Sequence, residues 1–247
     1  MTIIDNKNRQ NKLIRSFGRI KSRKLSSHKN NLLENLMPRF LINNFNQLKE
    51  YISRNNLNNS KKILEIGYGF GDFLFANLSK NPSNFFIGGE PHINGVVSLL
   101  AMIEVAENQD NWQLQSKKID NLKIYNGDIR EIITNADDGF FDEFYILFPD
   151  PWPKNKHHRR RIINKEFLNL LAIKSSNNAK ITIATDDDGY KKAITIAILQ
   201  NQYWQWQVKS KADWQEFPQD WTVTKYQRKA MDAGRRSVIF SLSKAGC

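Results

Sequence analysis

The stretch Ile63-Leu64-Glu65-Ile66-Gly67-Tyr68-Gly69-Phe70-Gly71-Asp72 decides the fold, because an apolar run of strand length passes there directly into a glycine-rich turn. Glycine adopts positive φ without strain and lets a ligand approach the backbone closely. In an open α/β sheet, such a turn joins a buried strand to a helix at the edge where ligands bind. The stretch therefore predicts a strand, a ligand-binding turn and a helix in succession.

Strand-like and helix-like segments alternate from Lys61 onward. Strands are predicted at Ile63–Gly67, Phe85–Glu90, Lys123–Gly127, Phe141–Phe148 and Lys180–Thr185, and helical stretches follow most of them. This βαβ series predicts an α/β fold with a doubly wound, mostly parallel sheet and helices on both faces. Two further segments, Tyr203–Val208 and Ser237–Leu242, predict an antiparallel pair at one edge, which makes about seven strands in all.

Three parts of different composition divide the chain. Residues 1–30 are polar and basic, and they are predicted to form a flexible arm that orders only against a partner. Residues 31–58 are predicted to be a helical extension, because apolar side chains recur at helical spacing on either side of Pro38 and predict two short helices that pack on the core. Residues 59–247 hold the α/β domain.

The charge of the protein is unevenly distributed. The 247 residues include 37 Lys and Arg against 25 Asp and Glu, a formal net charge of +12. Residues 1–30 hold nine basic side chains and one acidic one, and residues 154–161 hold five and none. The other 209 residues hold 23 basic and 24 acidic side chains. Two cationic segments on a near-neutral body point to a polyanionic partner, either a nucleic acid or an anionic membrane surface.

Other classes of protein are excluded by what the sequence lacks. No apolar run approaches the ~18 residues that a membrane-spanning helix needs. The first residues are polar by Asp5 and contain no secretory apolar core. Cys247 is the single cysteine, so neither an internal disulfide nor a zinc cluster is predicted. We expect a cytoplasmic protein without a metal or a membrane anchor, monomeric or at most weakly dimeric.

Carboxylates follow the ends of three predicted strands. Glu65 lies just before the glycines, and Glu90 closes the next strand, 19 residues beyond Gly71. In doubly wound folds, a carboxylate at that second position accepts hydrogen bonds from the cis-diol of a ribose, which favours a nucleoside-containing cofactor. Asp128 follows the third strand, where it suits the amino group of adenine. The N-cap of the following helix is an equally good interpretation of Asp128.

Asp72 distinguishes between the two nucleoside cofactors that bind in such a crevice. A dinucleotide site requires Gly-x-Gly-x-x-Gly so that the pyrophosphate meets the helix N-terminus, but Asp72 occupies the position of the third glycine. A carboxylate there repels a pyrophosphate and is compatible with the cationic methionine end of S-adenosyl-L-methionine. The sequence favours S-adenosyl-L-methionine, with a nicotinamide-dependent oxidoreductase as the less favoured alternative.

A proline-rich loop, Phe148-Pro149-Asp150-Pro151-Trp152-Pro153-Lys154, ends the strand predicted at Phe141–Phe148. Prolines stop the strand and fix a rigid, exposed loop that holds Asp150 at the ligand edge. A basic run follows, made of Lys154, Lys156, His157, His158, Arg159, Arg160 and Arg161. Because the run follows Asp150 and Trp152 directly, we interpret it as a phosphate-gripping rim beside a base-sized pocket rather than an ordinary solvated face.

Together, these motifs resemble those of the bacterial tRNA (guanine-N(7)-)-methyltransferases. The resemblance spans nearly the whole chain and rests on Arg15-Ser16-Phe17, on the glycine-rich turn, on Gly89-Glu90 with His92, on the proline-rich loop with His157, Arg160 and Arg161, on Ala184-Thr185-Asp186 with Tyr190, and on Thr224-Lys225-Tyr226 with Lys229 and Gly234. It implies a Rossmann-like class I methyltransferase. Such an enzyme transfers a methyl group from S-adenosyl-L-methionine to N(7) of a guanine in the variable loop of tRNA, forming 7-methylguanosine.

The resemblance also implies roles for single residues. The cofactor site would consist of Glu65, Gly67, Gly69, Gly71, Glu90, Asp128 and Asp150, and Asp150 would also be the catalytic residue. Substrate contacts would come from Lys154, Asp186, Thr224, Lys225, Tyr226 and Gln227. The tRNA backbone would lie on Lys156, His157, His158, Arg159, Arg160 and Arg161.

The chemistry of guanine N(7) makes these roles intelligible. This atom carries a lone pair and no proton, so its methylation needs no general base and depends mainly on orientation. The carboxylate of Asp150 or Asp186 could accept hydrogen bonds from the N(1)–H and the amino group of guanine. It would also stabilise the positive charge that methylation leaves on the base. The role predicted for Asp150 is therefore an electrostatic clamp.

The sequence departs from the family pattern at a few positions. Gln227 stands where glutamate is usual, which shifts guanine recognition toward Asp186, while Arg235 replaces a common histidine and Asp187 a common aromatic residue. Asp186 is equally well interpreted as the N-cap of a helix over Tyr190–Leu199. Another RNA methyltransferase and a nonenzymatic RNA-binding protein of the same fold remain as alternatives.

Overall fold

The protein is built around one seven-stranded sheet with the strand order β3-β2-β1-β4-β5-β7-β6. A computed structural model describes residues 24–108 and 118–245. The strands are β1 (Lys62–Ile66), β2 (Phe85–Gly89), β3 (Leu122–Tyr125), β4 (Phe141–Leu147), β5 (Ser175–Thr185), β6 (Trp204–Trp206) and β7 (Val238–Lys244). The sequence-based prediction of a doubly wound α/β sheet of about seven strands is confirmed.

Strands β1 to β5 run parallel, and the last two strands form an antiparallel edge. β1 pairs with β2 on one side and β4 on the other. β7 lies antiparallel between β5 and β6, so the predicted antiparallel pair at the edge is confirmed. The crossover order reverses between β1 and β4, which places a ligand-binding crevice at their carboxyl ends.

Helices cover both faces of the sheet, as the sequence predicts. They are α1 (Ser27–Asn31), α2 (Met37–Phe40), α3 (Phe45–Arg54), α4 (Asp72–Lys80), α5 (Ile93–Asn108), α6 (Arg130–Asn135), α7 (Lys165–Lys174), α8 (Asp188–Leu199), α9 (Ala212–Gln215) and α10 (Lys225–Asp232). The apolar side chains of α4 and α5 pack on one face of the sheet. Those of α3, α6, α7 and α8 pack on the other face.

The predicted helical extension has a different internal break from the one expected. Helical structure runs from α1 through a π-helical turn, Leu32–Leu36, into α2. Pro38 lies in the first turn of α2, where proline is tolerated because its missing N–H has no helical partner. The chain leaves the helix only at Leu41, which forms a β-bridge to Ile124. Most of the predicted arm, residues 1–23, lies outside the described residues, and the division into an arm, an extension and an α/β domain stays a prediction.

Four of the five predicted parallel strands reach one to two residues too far into the loops at the ligand edge, whereas β5 ends at Thr185 as predicted but begins at Ser175, five residues before the predicted start. β1 ends at Ile66 because Gly67 adopts a φ of +72°. β4 ends at Leu147 because Phe148 has a φ of +52°. Neither conformation continues an extended strand, so both loops turn sharply at the edge of the sheet where the site forms.

Candidate active site

A cavity of about 490 Å³ lies at the carboxyl ends of the strands. The loops that follow β1, β2, β3 and β4 supply most of its wall, and Tyr226 at the start of α10 contributes one further side chain. Gly67, Gly69, Glu90, Asp128 and Asp150 are among the lining residues. The structure therefore brings together, around one cavity, two of the three predicted glycines and three of the four predicted acids, while Gly71 is absent from the cavity wall.

The glycine-rich turn leaves room in the cavity by adopting conformations that other residues avoid. Gly67, Gly69 and Gly71 have φ values of +72°, +58° and +86°. A Cβ on Gly69 would lie 2.8 Å from the Tyr226 ring, and a Cβ on Gly71 would lie 2.9 Å from Leu99. Both the backbone conformation and the lack of space therefore require glycine at the second and third positions.

Glu90 joins the turn after β1 to the end of β2. Its Oε2 accepts a hydrogen bond from Gly69 N at 2.9 Å, and its Oε1 accepts one from His92 N at 2.8 Å. Burial raises the pKa of this carboxyl, although the two backbone hydrogen bonds oppose the rise. Each carboxylate oxygen has a second lone pair, so Glu90 can also accept hydrogen bonds from a diol in the cavity.

Gly95, in the first turn of α5, packs directly on the same turn. A Cβ on Gly95 would lie only 2.2 Å from the carbonyl oxygen of Gly69. Sequence analysis missed this residue, although a glycine inside a helix weakens the helix and is therefore a signal of close packing. Phe70 and Arg130, which also line the cavity, carry no comparable signal in the sequence.

Glu65 lies deeper than the other predicted acids. It is 3% exposed, and its Oε2 has no hydrogen-bond partner within the described residues. Burial raises the pKa of this carboxyl well above its usual value, and the nearby charges of Asp72 and Glu90 raise it further. Glu65 is absent from the described cavity wall, so its role as a cofactor ligand remains a prediction.

Asp128 is on the cavity wall but already has a partner. Its Oδ1 accepts hydrogen bonds from Arg130 N at 3.1 Å and from Arg130 Nε at 2.9 Å, and its Oδ2 forms an ion pair with the same guanidinium. The first of these bonds is the local turn-type contact that the capping interpretation predicts, although the N-cap position of α6 is Ile129. The contact with adenine remains a prediction.

The proline-rich loop presents Asp150 to the cavity. Phe148 and Trp152 flank it with φ values of +52° and +44°, which are strained for residues with a Cβ. Phe148 N donates a hydrogen bond to the carbonyl oxygen of Ala184 at 2.8 Å, which fixes the start of the loop against β5. Asp150 itself is exposed at the cavity mouth, yet the surrounding protein desolvates it enough to raise its pKa.

Most of the predicted phosphate-gripping rim is a short 3₁₀ helix, Asn155–Arg160, at the mouth of the cavity. Lys154, Lys156, His158 and Arg159 are exposed. Arg160 lies over the Trp152 ring at 4.8 Å, and the His157 ring meets the edge of the same indole at 5.7 Å. Trp152 therefore packs against the cationic helix and also lines the cavity.

Arg161 differs from the rest of the basic run because its guanidinium faces the protein. It is 8% exposed, and its Nε donates a hydrogen bond to the carbonyl oxygen of Pro151 at 2.7 Å. Its guanidinium carbon also lies 4.9 Å from the centre of the buried Tyr190 ring. These contacts do not suit the predicted role of Arg161 as a phosphate ligand on tRNA.

Asp186 is available at the end of β5, but Arg235 shares it. The Arg235 Nε donates to Asp186 Oδ2 at 2.6 Å. Capping of α8 is performed by the next residue, Asp187, whose Oδ1 accepts from Tyr190 N at 2.7 Å. The alternative interpretation of Asp186 as the N-cap is therefore wrong.

The four substrate residues predicted around α10 divide into two pairs. Thr224 caps α10, because its hydroxyl accepts a hydrogen bond from Gln227 N. The buried Gln227 accepts a hydrogen bond from Trp221 Nε1 at 2.8 Å, so both side chains hold the helix in place. Tyr226 faces the cavity, and Lys225 Nζ lies 3.8 Å from the centre of the Phe70 ring. Lys225 N also donates to Asp72 Oδ2 at 3.1 Å, which fixes the start of α10 to the glycine-rich turn.

Neither a membrane helix nor a metal centre is found in the described part of the chain. None of its helices is long and apolar enough to cross a membrane. No group of three or more His, Cys, Asp and Glu side chains is placed to hold a metal ion within residues 24–108 and 118–245.

The doubly wound sheet and its glycine-lined, acidic cavity define a Rossmann-like methyltransferase, and S-adenosyl-L-methionine is the cofactor of this class. A family model described as "Putative methyltransferase" matches residues 59–239. The crystal structure of the 16S rRNA methyltransferase KamB shares the fold with a TM-score of 0.55 and 10% identity, over 81% of this chain and 93% of that one.

Relatives of higher identity define the family. The tRNA (guanine-N(7)-)-methyltransferase of Wolbachia pipientis wMel is 35% identical over 85% of this chain and 86% of its own length. The enzyme of the same name from Zymomonas mobilis is 31% identical over 92% of both chains. The chain belongs to the tRNA (guanine-N(7)-)-methyltransferase family.

Proposed function

We propose that the protein transfers the methyl group of S-adenosyl-L-methionine to N(7) of a guanine in the variable loop of tRNA. One observation carries the proposal: a single cavity joins the glycine-rich turn to the loop bearing Asp150, and a cationic 3₁₀ helix lies at its mouth. The acids suit a sulfonium cofactor, and the exposed cations suit a phosphate backbone. The proposed place of action is the cytoplasm, where tRNA is used, and the proposed form is a monomer.

The residues present fit the cofactor. A Cβ at Gly69 would meet the Tyr226 ring, which also lines the cavity, so the glycine leaves room there, and Glu90 keeps lone pairs for a ribose diol. Burial and the charges of Asp72 and Glu90 raise the pKa of Glu65 behind the turn, so an anionic group is disfavoured in this region and a cation would gain from the carboxylate of Glu90. When bound, S-adenosyl-L-methionine supplies an electrophilic methyl group on a positively charged sulfur.

The protein's task in the reaction is to orient the base and stabilise charge. Guanine N(7) would use its own lone pair to accept the methyl group that bound S-adenosyl-L-methionine would supply, and the positive charge would then lie on the base. No proton leaves N(7), so no residue is required as a general base. Asp150 lies in a desolvated position on the cavity wall, where its ionised carboxylate stabilises a cationic base more strongly than it would in water.

Asp186, Lys154 and Tyr226 are the proposed substrate contacts that remain compatible with the geometry. Asp186 Oδ2 is held by Arg235, which leaves Oδ1 to accept from the guanine edge. Lys154 precedes the cationic helix and is exposed, and Tyr226 faces the cavity. Thr224 and Gln227 are proposed to act only indirectly, because they hold α10 in place.

Labelled S-adenosyl-L-methionine and bulk tRNA test the proposal directly. After incubation with the protein, the tRNA is cleaved chemically at 7-methylguanosine, and the labelled site is mapped. We expect label at a variable-loop guanine. Label at another position would identify another RNA methyltransferase, and cofactor binding without any label would identify a nonenzymatic RNA-binding protein; either result would refute the proposed function.

The clamp role of Asp150 requires its own control. Asp150→Asn keeps the shape of the side chain and removes its charge, so methyl transfer should fall by about 100-fold if charge stabilisation is worth about 3 kcal/mol. Binding of tRNA should change little, because the phosphate contacts lie elsewhere. Near-normal transfer by Asp150→Asn with unchanged tRNA affinity would rule out the clamp.

A further inference from the structure

We propose that Arg161 is a positioning residue for the Asp150 loop and contributes nothing to the tRNA-binding surface. The proposal rests on the proposed function, because Asp150 is the residue whose position matters. Its basis is the set of contacts around Arg161, which joins two separate parts of the protein: the proline-rich loop, and the start of α8 with the Gly189 carbonyl and the Tyr190 ring.

Hydrogen bonds hold the backbone of the proline-rich loop at two points, and the Trp152 ring also contacts His157 and Arg160. Pro149, Pro151 and Pro153 have no N–H, so the loop has few donors with which to bind the rest of the protein. Phe148 N fixes its start against Ala184, and the Arg161 Nε fixes its centre through the carbonyl oxygen of Pro151. The second hydrogen bond falls on the residue next to Asp150.

The conformation of the loop is one that needs support. Phe148 and Trp152 both have positive φ, and such strain persists only where surrounding contacts over-determine the backbone. Pro151 lies directly before Trp152, so the hydrogen bond from Arg161 acts on the peptide that leads into the strained residue. Loss of that hydrogen bond would let the loop relax and would carry Asp150 away from the cavity.

Arg161 is itself fixed by the core. The Tyr190 ring beneath it is fully buried, and the Tyr190 hydroxyl accepts a hydrogen bond from Ile163 N at 3.0 Å. Arg161 NH1 also donates to the carbonyl oxygen of Gly189 at 3.4 Å. Within the described residues, Arg161 forms no ion pair, so this buried cation is compensated by carbonyl oxygens and an aromatic face.

The neighbouring Arg159 provides a matched control. It is exposed on the 3₁₀ helix, two residues from Arg161, and belongs to the proposed tRNA surface. Two arginines in one basic run should therefore give opposite results. Arg159 should act on tRNA affinity and its salt dependence, and Arg161 on the rate of methyl transfer.

The experiment compares Arg161→Lys with Arg159→Ala, using the full chain, purified tRNA and S-adenosyl-L-methionine. Lysine keeps the positive charge at position 161 but loses the planar guanidinium that binds Pro151 and stacks on Tyr190. We expect Arg161→Lys to slow single-turnover methyl transfer by about 10- to 100-fold. Arg161→Ala removes the charge itself, yet its tRNA affinity should stay within about twofold of the wild type and its salt slope should not change.

Arg159→Ala should behave in the opposite way. Its tRNA affinity should fall and its salt slope should decrease by about 0.9. The proposal is overturned if Arg161→Ala loses tRNA affinity and salt slope as Arg159→Ala does, or if Arg161→Lys transfers methyl groups at the wild-type rate. The binding comparison holds even if the wild type transfers nothing, and that separate result would refute the proposed function.

A second variant covers the case in which Arg161→Lys does not fold. Pro151→Gly leaves Arg161 and its carbonyl acceptor in place but frees the backbone of the loop. We expect it to slow methyl transfer without changing the salt slope of tRNA binding. In the double variant the two losses should be non-additive, because both act on the same loop; additive losses would contradict the proposal.

Discussion

Replacing Gly95 by alanine tests how closely α5 packs on the cofactor turn. In a helix, glycine to alanine ordinarily stabilises by about 0.5–1 kcal/mol. Here, the new Cβ would lie 2.2 Å from the carbonyl oxygen of Gly69 and 2.9 Å from Glu90 Cγ. Because non-bonded heavy atoms pack at about 3.5 Å, the turn or the helix must move by roughly 1 Å.

Because of this displacement, the substitution should destabilise the protein instead of stabilising it. Overpacking costs about 1–3 kcal/mol, so Gly95→Ala should lose about 1–2 kcal/mol of stability after the helical gain is deducted. The moving part is the backbone that cradles the cofactor, so the Kd for S-adenosyl-L-methionine should rise about tenfold or more, equivalent to about 1.4 kcal/mol.

Calorimetric titration with S-adenosyl-L-methionine and thermal unfolding measure both effects. Gly234→Ala is the control, because Gly234 has a φ of +69° and no atom within 4 Å of the new Cβ. That control should lose about 1 kcal/mol through backbone strain alone and keep its cofactor affinity. A higher melting temperature for Gly95→Ala with unchanged affinity would refute the inferred packing.

Three further substitutions test separate parts of the site. Lys156→Ala removes an exposed cation of the 3₁₀ helix, so tRNA affinity should fall and its salt slope decrease by about 0.9, while calorimetry should show unchanged cofactor affinity. The pKa of Glu65 is raised in the folded protein, so the protonated carboxyl stabilises the fold fully below pH 4.5, and this stabilisation is lost as the pH rises through the pKa of the folded state. Glu65→Gln should therefore have a larger free energy of unfolding than the wild type at pH 8, and denaturant titration should show that the difference vanishes below pH 4.5. Because burial raises the pKa of Asp150, methyl transfer should decline as the pH falls through that value, and a pH profile of Asp150→Asn should lack this step.

The fold was predictable because each of its determinants is local in the sequence. The five parallel strands are short apolar runs bounded by turn residues, and the βαβ connections leave few topologies to consider. The acids Glu90 and Asp150 were predictable as cavity residues for the same reason, since Glu90 directly follows β2 and Asp150 lies three residues beyond the end of β4. The predicted boundaries erred where the chain enters left-handed backbone, at Gly67 and Phe148.

The environment of individual side chains was not predictable, because it depends on contacts between distant elements. Arg159 and Arg161 are alike in sequence, but only Arg161 meets a buried aromatic ring from α8, 29 residues further along the chain. Likewise, Gln227 and Tyr226 are neighbours on α10, and burial against Trp221 turns the first inward and leaves the second at the cavity. Hydrophobic periodicity cannot assign such polar positions to a face.

The attachment of α10 at both ends has a thermodynamic consequence. Lys225 N binds Asp72 beside the cofactor turn, and Arg235, just beyond the other end of the helix, binds Asp186 on the guanine side. A helix of eight residues is about 12 Å long and nearly incompressible, so a displacement at one end reaches the other. If the cofactor binds beside Asp72 and the guanine beside Asp186, as proposed, we expect the two occupancies to be coupled, and the coupling must be reciprocal: whatever factor the cofactor applies to the affinity for tRNA, tRNA must apply to the affinity for the cofactor.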